Sequence, residues 1–265
     1  MFDRTEGGAV PIRPRKPEGP LRWTTLGSAP YPKADEPCSG YLLQGAGANV
    51  LVDVGGGVLG PLQRLIDLDD LHAVWIGHTH ADHFADMPLL YYAWAFSGRQ
   101  RRKIPVLGPP GWATRVEEFV RSAVDHHLSD FFQVVELRDR GVAEIGALRI
   151  QARVLEHGIP AFGLTARLGD HRLAYSGDTG PCENLVTLAR GAGVLVAEAG
   201  ASLIEVPAVH LSPEDAALTA QQAGVARLVL THLAEDLTAE AALNRAAAIF
   251  DGPVEVATPG HLIEV

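Results

Sequence analysis

The sequence predicts an α/β protein built as two sheets, each covered by helices. Three observations carry this. Apolar runs of strand length alternate with helical patterns from Leu21 onward. Both halves of the chain run through strands and then helices, with no fixed-period repeat. Ligand-capable polar residues recur at the C-terminal ends of the predicted strands, the edge on which layered α/β folds build their sites.

Residues 1–20 hold four prolines and three glycines without periodicity and read as a flexible arm, with one domain expected over 21–265. Strands are expected at 21–26, 40–43, 50–54, 73–76, 105–107, 133–137 and 148–155, each a short run rich in β-branched or large apolar residues. Next comes a hairpin of 161–168 and 172–176, turned at Gly169-Asp170-His171. The later strands are 194–197, 228–231 and 254–257, and helices are expected at 87–96, 112–124, 183–189, 213–222 and 239–250. Ser212-Pro213-Glu214-Asp215 is a helix start in itself: a hydroxyl cap, proline in the first turn and an acid three residues on.

Composition excludes several classes. Of 265 residues, 47% are hydrophobic and 20% charged, which suits a globular enzyme. No apolar run approaches membrane-span length, and the start of the chain lacks the basic-then-apolar order of a secretory signal. Two distant cysteines, Cys38 and Cys182, make no disulfide framework, so a reducing, cytoplasmic location is expected. The net charge is −10, whereas proteins that live on polyanions carry a basic face. The one dense basic run, Arg99, Arg101, Arg102 and Lys103, reads as a solvated helix end.

The chemistry concentrates in His78-Thr79-His80-Ala81-Asp82-His83, directly after the apolar stretch 73–77. Three imidazoles and a carboxylate within six residues are a donor set for Zn²⁺-like cations. His78 and His80 point the same way from an extended segment, and Asp82 and His83 turn toward a second point, so one loop can seed two adjacent sites. Four later positions extend the set: His157 after a strand, Asp178 in Ser176-Gly177-Asp178-Thr179, His210 just before the helix capped by Ser212, and His232 at the end of a strand.

This pattern resembles the metallo-β-lactamase superfamily, and within it the phosphodiesterase branch that includes ribonuclease Z. Besides the metal motif, the resemblance rests on Gly40-Tyr41-Leu42-Leu43, Asp53-Val54-Gly55-Gly56-Gly57, Asp86-Met87-Pro88, Glu198-Ala199 and Thr231-His232, and spans 21 to about 257. It implies an αββα four-layer sandwich with a binuclear site at one edge. It also implies two divalent cations, Zn²⁺ first with Mn²⁺ or Fe as alternatives. His78, His80 and His157 would hold one, Asp82, His83 and His232 the other, and Asp178 would bridge them about a hydroxide. Asp82 counts among the catalytic residues as well as the ligands. His210 would donate a proton to the leaving oxygen, held by Glu198, and Asp53 would steady the metal loop.

The resemblance departs at one point. Ribonuclease Z carries a long Gly/Pro-rich arm between the third His ligand and the bridging Asp. Here His157 and Asp178 are 21 positions apart, filled by the hairpin. That short form is similar to an actinobacterial group that hydrolyses cyclic nucleotides. The expected function is therefore a metal-dependent phosphodiesterase of small substrates such as cAMP, without extended RNA binding and without a membrane partner. The alternatives are a ribonuclease Z-like RNA 3′-processing endonuclease, a lactone or thioester hydrolase, and a non-catalytic metal-binding scaffold. A homodimer across the arm is an open expectation.

Other signals carry less. Gly55-Gly56-Gly57-Val58-Leu59-Gly60 matches a dinucleotide fingerprint, but the next strand ends at Gly77-His78 and not in the acid that a ribose needs. His126 and His127 are helix neighbours that face different ways. His72 and His171 read as surface residues, and His261 as a residue that could reach the cleft from the tail. Tyr91, Tyr92, Trp94 and Phe96 read as core packing, with one ring available to a base.

Overall fold

The computed structural model describes residues 19–120, 127–203 and 208–265. Residues 1–18 of the expected arm, and His126, lie outside them.

Two seven-stranded sheets form the centre. The first is built from β1 (Arg22–Gly27), β2 (Gly40–Gly45), β3 (Ala48–Val52), β4 (Ala73–Trp75), β5 (Ile104–Gly108), β6 (Phe132–Glu136) and β14 (Leu262–Glu264), in the order β14-β1-β2-β3-β4-β5-β6. The second is built from β7 (Val142–Ile145), β8 (Leu148–Leu155), β9 (Ala161–Leu168), β10 (His171–Tyr175), β11 (Val194–Ala199), β12 (Arg227–Leu233) and β13 (Val254–Val256), in the order β13-β12-β11-β10-β9-β8-β7. From β14 to β3, and from β7 to β10, pairing is antiparallel; from β3 to β6, and from β10 to β13, it is parallel. The two halves thus share one pairing pattern, a symmetry of topology that leaves no periodic trace in the sequence.

Layering follows from strand alternation. The inner faces meet through Trp23, Tyr41, Val50, Val52 and Trp75 of the first sheet and Ile150, Leu164, Leu173, Tyr175 and Val196 of the second. The outer face of the first sheet is covered by α1 (Leu59–Leu65), α3 (Met87–Phe96) and α4 (Trp112–Val120), through Leu62, Leu90, Tyr91, Trp94 and Trp112. The outer face of the second is covered by α6 (Glu183–Ala189), α7 (Pro213–Ala223) and α8 (Ala239–Ala247). There small residues such as Ala216, Ala217, Ala220, Ala242 and Ala246 let helix and sheet approach closely. The order is helices, sheet, sheet, helices, as expected.

Most expected elements are present within one or two residues. Those not anticipated are β7, β14, α1, the one-turn helices over Ala81–Phe84 and Leu128–Phe131, and the short 3-10 turn Leu68–Asp70. β7 and β14 are sheet edges of four and three residues. α1 hides behind the Gly-rich run and carries Gly60 and Pro61, which a first helical turn tolerates because its N–H groups need no intrahelical acceptor. The Ser212 cap forms as read, its hydroxyl accepting from Asp215 N while the Asp215 carboxylate accepts from Ser212 N. The hairpin turn is shorter than expected, Gly169-Asp170 alone, with Gly169 at φ +60°. Tyr91 and Trp94 are buried core residues, whereas Tyr92 is exposed and stacks on Phe96 at 5.0 Å.

Candidate metal centre

The site lies where the C-terminal ends of β4, β8, β10, β11 and β12 come together. β4 ends at Trp75 and His78 follows; His80, in extended backbone, then opens the short helix α2 (Ala81–Phe84). Asp82 and His83 therefore sit on a helical turn and not wholly on a loop as expected, and the turn brings the His83 ring to 4.2 Å from that of His78. β12 carries a bulge against β11 between Glu198 and Ala199, and His232 takes φ +51° there. That irregularity redirects the His232 ring toward the cluster.

All seven expected ligands converge. His78 Nε2 and His157 Nε2 each lie 3.2 Å from His80 Nδ1. His232 Nε2 is 3.0 Å from Asp82 Oδ2, and His83 Nε2 is 3.4 Å from the same oxygen. Asp178 stands between the two groups: Oδ1 is 3.1 Å from His83 Nε2, and Oδ2 is 3.6 Å from His78 Nε2 and 3.7 Å from His232 Nε2. Donors about 2.0–2.1 Å from a tetrahedral cation lie roughly 3.3 Å from one another, so these separations suit divalent cations. Two further observations agree. His83 Nε2 and Asp178 Oδ1 are buried and have no hydrogen-bond partner, although they face each other. Tautomers are also fixed from outside: His83 Nδ1 donates to Asp53 at 2.8 Å and His157 Nδ1 donates to the Val209 carbonyl at 2.9 Å, which leaves each Nε2 to point inward.

Without cations the charges balance one another. Burial, with His83 alongside, pushes the His78 imidazole down to about 2. Burial also lowers His157, against the Val209 hydrogen bond. Burial alone would lower His83, but the Asp178 and Asp53 carboxylates outweigh it and hold His83 well above its usual range. His232 is raised the same way, by Asp178 and Asp82 against burial. Burial would raise Asp178, yet His232 and His83 keep its carboxyl well below the usual range.

Around this cluster lies a shell of fixed groups. The fully buried Asp53 accepts three bonds, from Gly77 N at 2.7 Å, Tyr175 OH at 2.8 Å and His83 Nδ1, and does so from φ +57°. Glu198, also buried, accepts from Thr179 N and Gly200 N at 2.8 Å each and from His210 Nδ1 at 3.0 Å. Burial raises its carboxyl above the usual range, with the His210 bond working against that rise. His210 Nδ1 is 3.9 Å from Asp178 Oδ2, and its ring stacks on His232 at 5.9 Å. The Asp53 and His210–Glu198 pairings thus form as read.

Sequence reasoning missed Tyr175 and Gly200. Tyr175 sits in a strand and looks like core. Gly200 has no motif at all, but a Cβ there would fall 2.8 Å from Glu198 Oε2, 3.0 Å from His210 Nδ1 and 3.2 Å from His232 Nδ1. His261 does not reach the cleft; its Nε2 pairs with Glu255 at 2.9 Å. His127 caps the short helix α5 (Leu128–Phe131). The Arg99–Lys103 run is consumed locally: Arg99 and Arg101 pair with Asp69, Arg102 bonds the Leu71 carbonyl and Lys103 the Ser129 carbonyl. Both cysteines are free, and no helix among the described residues is long and apolar enough to cross a membrane.

Comparison with known proteins agrees with this geometry. The family profile described as "Beta-lactamase superfamily domain" matches residues 48–233. An uncharacterized protein of Mycobacterium tuberculosis is 39% identical over 257 positions, covering 92% of each chain. A ribonuclease Z of a Mycobacterium species is 30% identical, covering 91% of this chain and 95% of its own. That alignment runs over 271 positions, more than the 265 residues here, so the ribonuclease carries residues with no counterpart in this chain. The crystal structure of the metallo-β-lactamase fold protein YhfI from Bacillus subtilis superposes with a TM-score of 0.82 at 25% identity, covering 93% of this chain and 100% of that one. The chain belongs to the β-lactamase superfamily, whose members use divalent metals, and within it to the metallo-hydrolases of the ribonuclease Z and phosphodiesterase branch.

Proposed function

We propose that this protein is a metal-dependent phosphodiesterase of small substrates, with a cyclic nucleotide such as cAMP the first candidate. The observation that carries the reading is the His210–Glu198 pair. The His210 imidazole is anchored by buried Glu198 at 3.0 Å and stands 3.9 Å from Asp178. Close enough to His157, Asp178 and His232 to join a ligand set, it serves in this reading as the proton donor. Ester and lactone hydrolysis can do without such a donor, because the leaving oxygen can be met by a cation. A ribose alkoxide leaving a phosphodiester needs a proton in the transition state.

In this reading His78, His80 and His157 would hold one cation, Asp82, His83 and His232 would hold the second, and the Asp178 carboxylate would serve both. The cations are Zn²⁺ first, with Mn²⁺ or Fe as alternatives. When bound, such a pair activates water near neutral pH and neutralises the phosphoryl oxygens. The protein does the rest. Asp53 and the Val209 carbonyl hold His83 and His157 in ligating tautomers. Glu198 keeps His210 oriented through its Nδ1.

A second reading is an RNA 3′-processing endonuclease, favoured by the 30% identity to a ribonuclease Z along nearly the whole chain. Against it stands the compact β9–β10 hairpin, turned by two residues, where that enzyme class carries its arm. Turnover of cAMP and of a precursor transfer RNA at one salt concentration separates the two. Faster turnover of cAMP is expected; faster cleavage of the RNA would make the nuclease the better answer.

A further inference from the structure

Three arginines that are scattered in the sequence meet in one row. Glu144 of β7 is paired in register with Arg149 of β8, Arg149 with Arg167 of β9, and Arg167 with Arg172 of β10. Their neighbours Ile150, Ala166 and Leu173 face the inter-sheet core, so strand alternation turns all four charged side chains to the opposite, helix-side face. The row lines a depression of about 600 Å³ whose rim is formed by Gly146 and Gly169 of the two hairpin turns. It lies at the start of β8, whereas His157 follows its end. Six residues of extended chain, roughly 20 Å, separate the two places.

Like charges directly opposite in a sheet repel, and such pairs are ordinarily avoided. Here two consecutive Arg–Arg pairs occur in a protein of net charge −10. Glu144 is the one acid among the described lining residues, and it is 3.5 Å from Arg149 alone. Arg172 has a buried Nε without a hydrogen-bond partner, although its Nη2 donates to the Leu188 carbonyl. Behind the row, Gln151 and Thr165 add neutral polar groups. Three guanidinium forks around one concavity, with too little internal negative charge, match the oxygens of a phosphate dianion.

We propose that the Arg149–Arg167–Arg172 row binds the phosphate group of a small ligand, at a site separate from the metal-ligand cluster. The shared chemistry is the phosphate; free phosphate and a nucleoside monophosphate are its two sources. The test is a thermal melt of the metal-loaded protein against inorganic phosphate and, in a second arm, against adenosine 5′-monophosphate. The wild type should show a saturable rise in midpoint. Arg167→Gln should need at least tenfold more of either anion for half the rise, while its hydrolytic rate stays that of the wild type. Arg149→Gln should repeat the loss from a second strand. If adenosine monophosphate half-saturates at tenfold lower concentration than phosphate, the ligand is a nucleotide; equal values make it phosphate itself. No response in the wild type, or the same response in all three proteins, as anion binding at the metal centre would give, overturns the proposal.

Discussion

Asp53→Asn is the substitution from which most can be read. The carboxylate is fully buried and accepts from Gly77 N, Tyr175 OH and His83 Nδ1. Asparagine keeps the volume and tolerates φ +57° better than most residues. The change therefore isolates the hydrogen bonds from the backbone. An amide has one acceptor oxygen, so one side must now face donors with a donor. If the oxygen stays on Gly77, the NH₂ meets Tyr175 OH and His83 Nδ1–H. The tyrosine can rotate away, but His83 can escape only by moving its proton to Nε2, the atom that faces Asp82 and Asp178. One unsatisfied buried group costs about 1–3 kcal/mol, and a domain of this size loses roughly 2–4 °C of melting midpoint per kcal/mol. Loss of a partner that orients a ligating histidine typically lowers metal affinity by about 10–100-fold. Chelator competition with the purified variant, beside a thermal melt, measures both. Wild-type affinity and an unchanged midpoint would refute the claim that Asp53 sets the His83 tautomer.

Three further outcomes follow from the same geometry. Carefully prepared wild-type protein should hold two metals per chain by elemental analysis, and Asp178→Ala should lose at least one of them with most of the activity; one metal or none in the wild type would sink the binuclear reading. Gly200→Ala should lower hydrolysis by tenfold or more, because its Cβ would crowd Glu198, His210 and His232 at 2.8–3.2 Å; a wild-type rate would show that the pocket relaxes freely. Metal binding should release protons near pH 7, since His83 and His232 are held above their usual range without cations. The sign is fixed: the stability that these raised groups give the metal-free protein is complete below their unfolded-state pKa and fades as pH rises through the folded one. Calorimetric titration in two buffers of different ionisation enthalpy reads the release, and identical heats would contradict it.

The sheet strands and the ligands were legible in the sequence for a physical reason. Buried strands need apolar runs, and cations need His and Asp, so both leave composition signals at short spacing. His78 to His83 is the extreme case, and Ser212 with Asp215 is another. What stayed hidden depends on tertiary approach. Tyr175 reads as core because only its hydroxyl reaches Asp53, and Gly200 reads as a loop residue because its role is to leave space. The arginine row was also missed: a search for basic runs finds Arg99 to Lys103, which pairs internally, whereas Arg149, Arg167 and Arg172 meet only through strand register. β7 and β14, edge strands of four and three residues, were also missed.

The most direct test of the account is the rate of His210→Ala on two phosphodiesters whose leaving groups depart with very different ease. On a cyclic nucleotide, whose ribose oxygen needs a proton, the loss should be roughly 10²–10⁴-fold. On a nitrophenyl phosphodiester, which leaves as a stable anion, the loss should be far smaller, and metal content should match the wild type in both assays. Equal losses on the two substrates would mean that His210 positions the substrate and does not protonate it. Loss of metal would place it among the ligands and contradict the assignment outright.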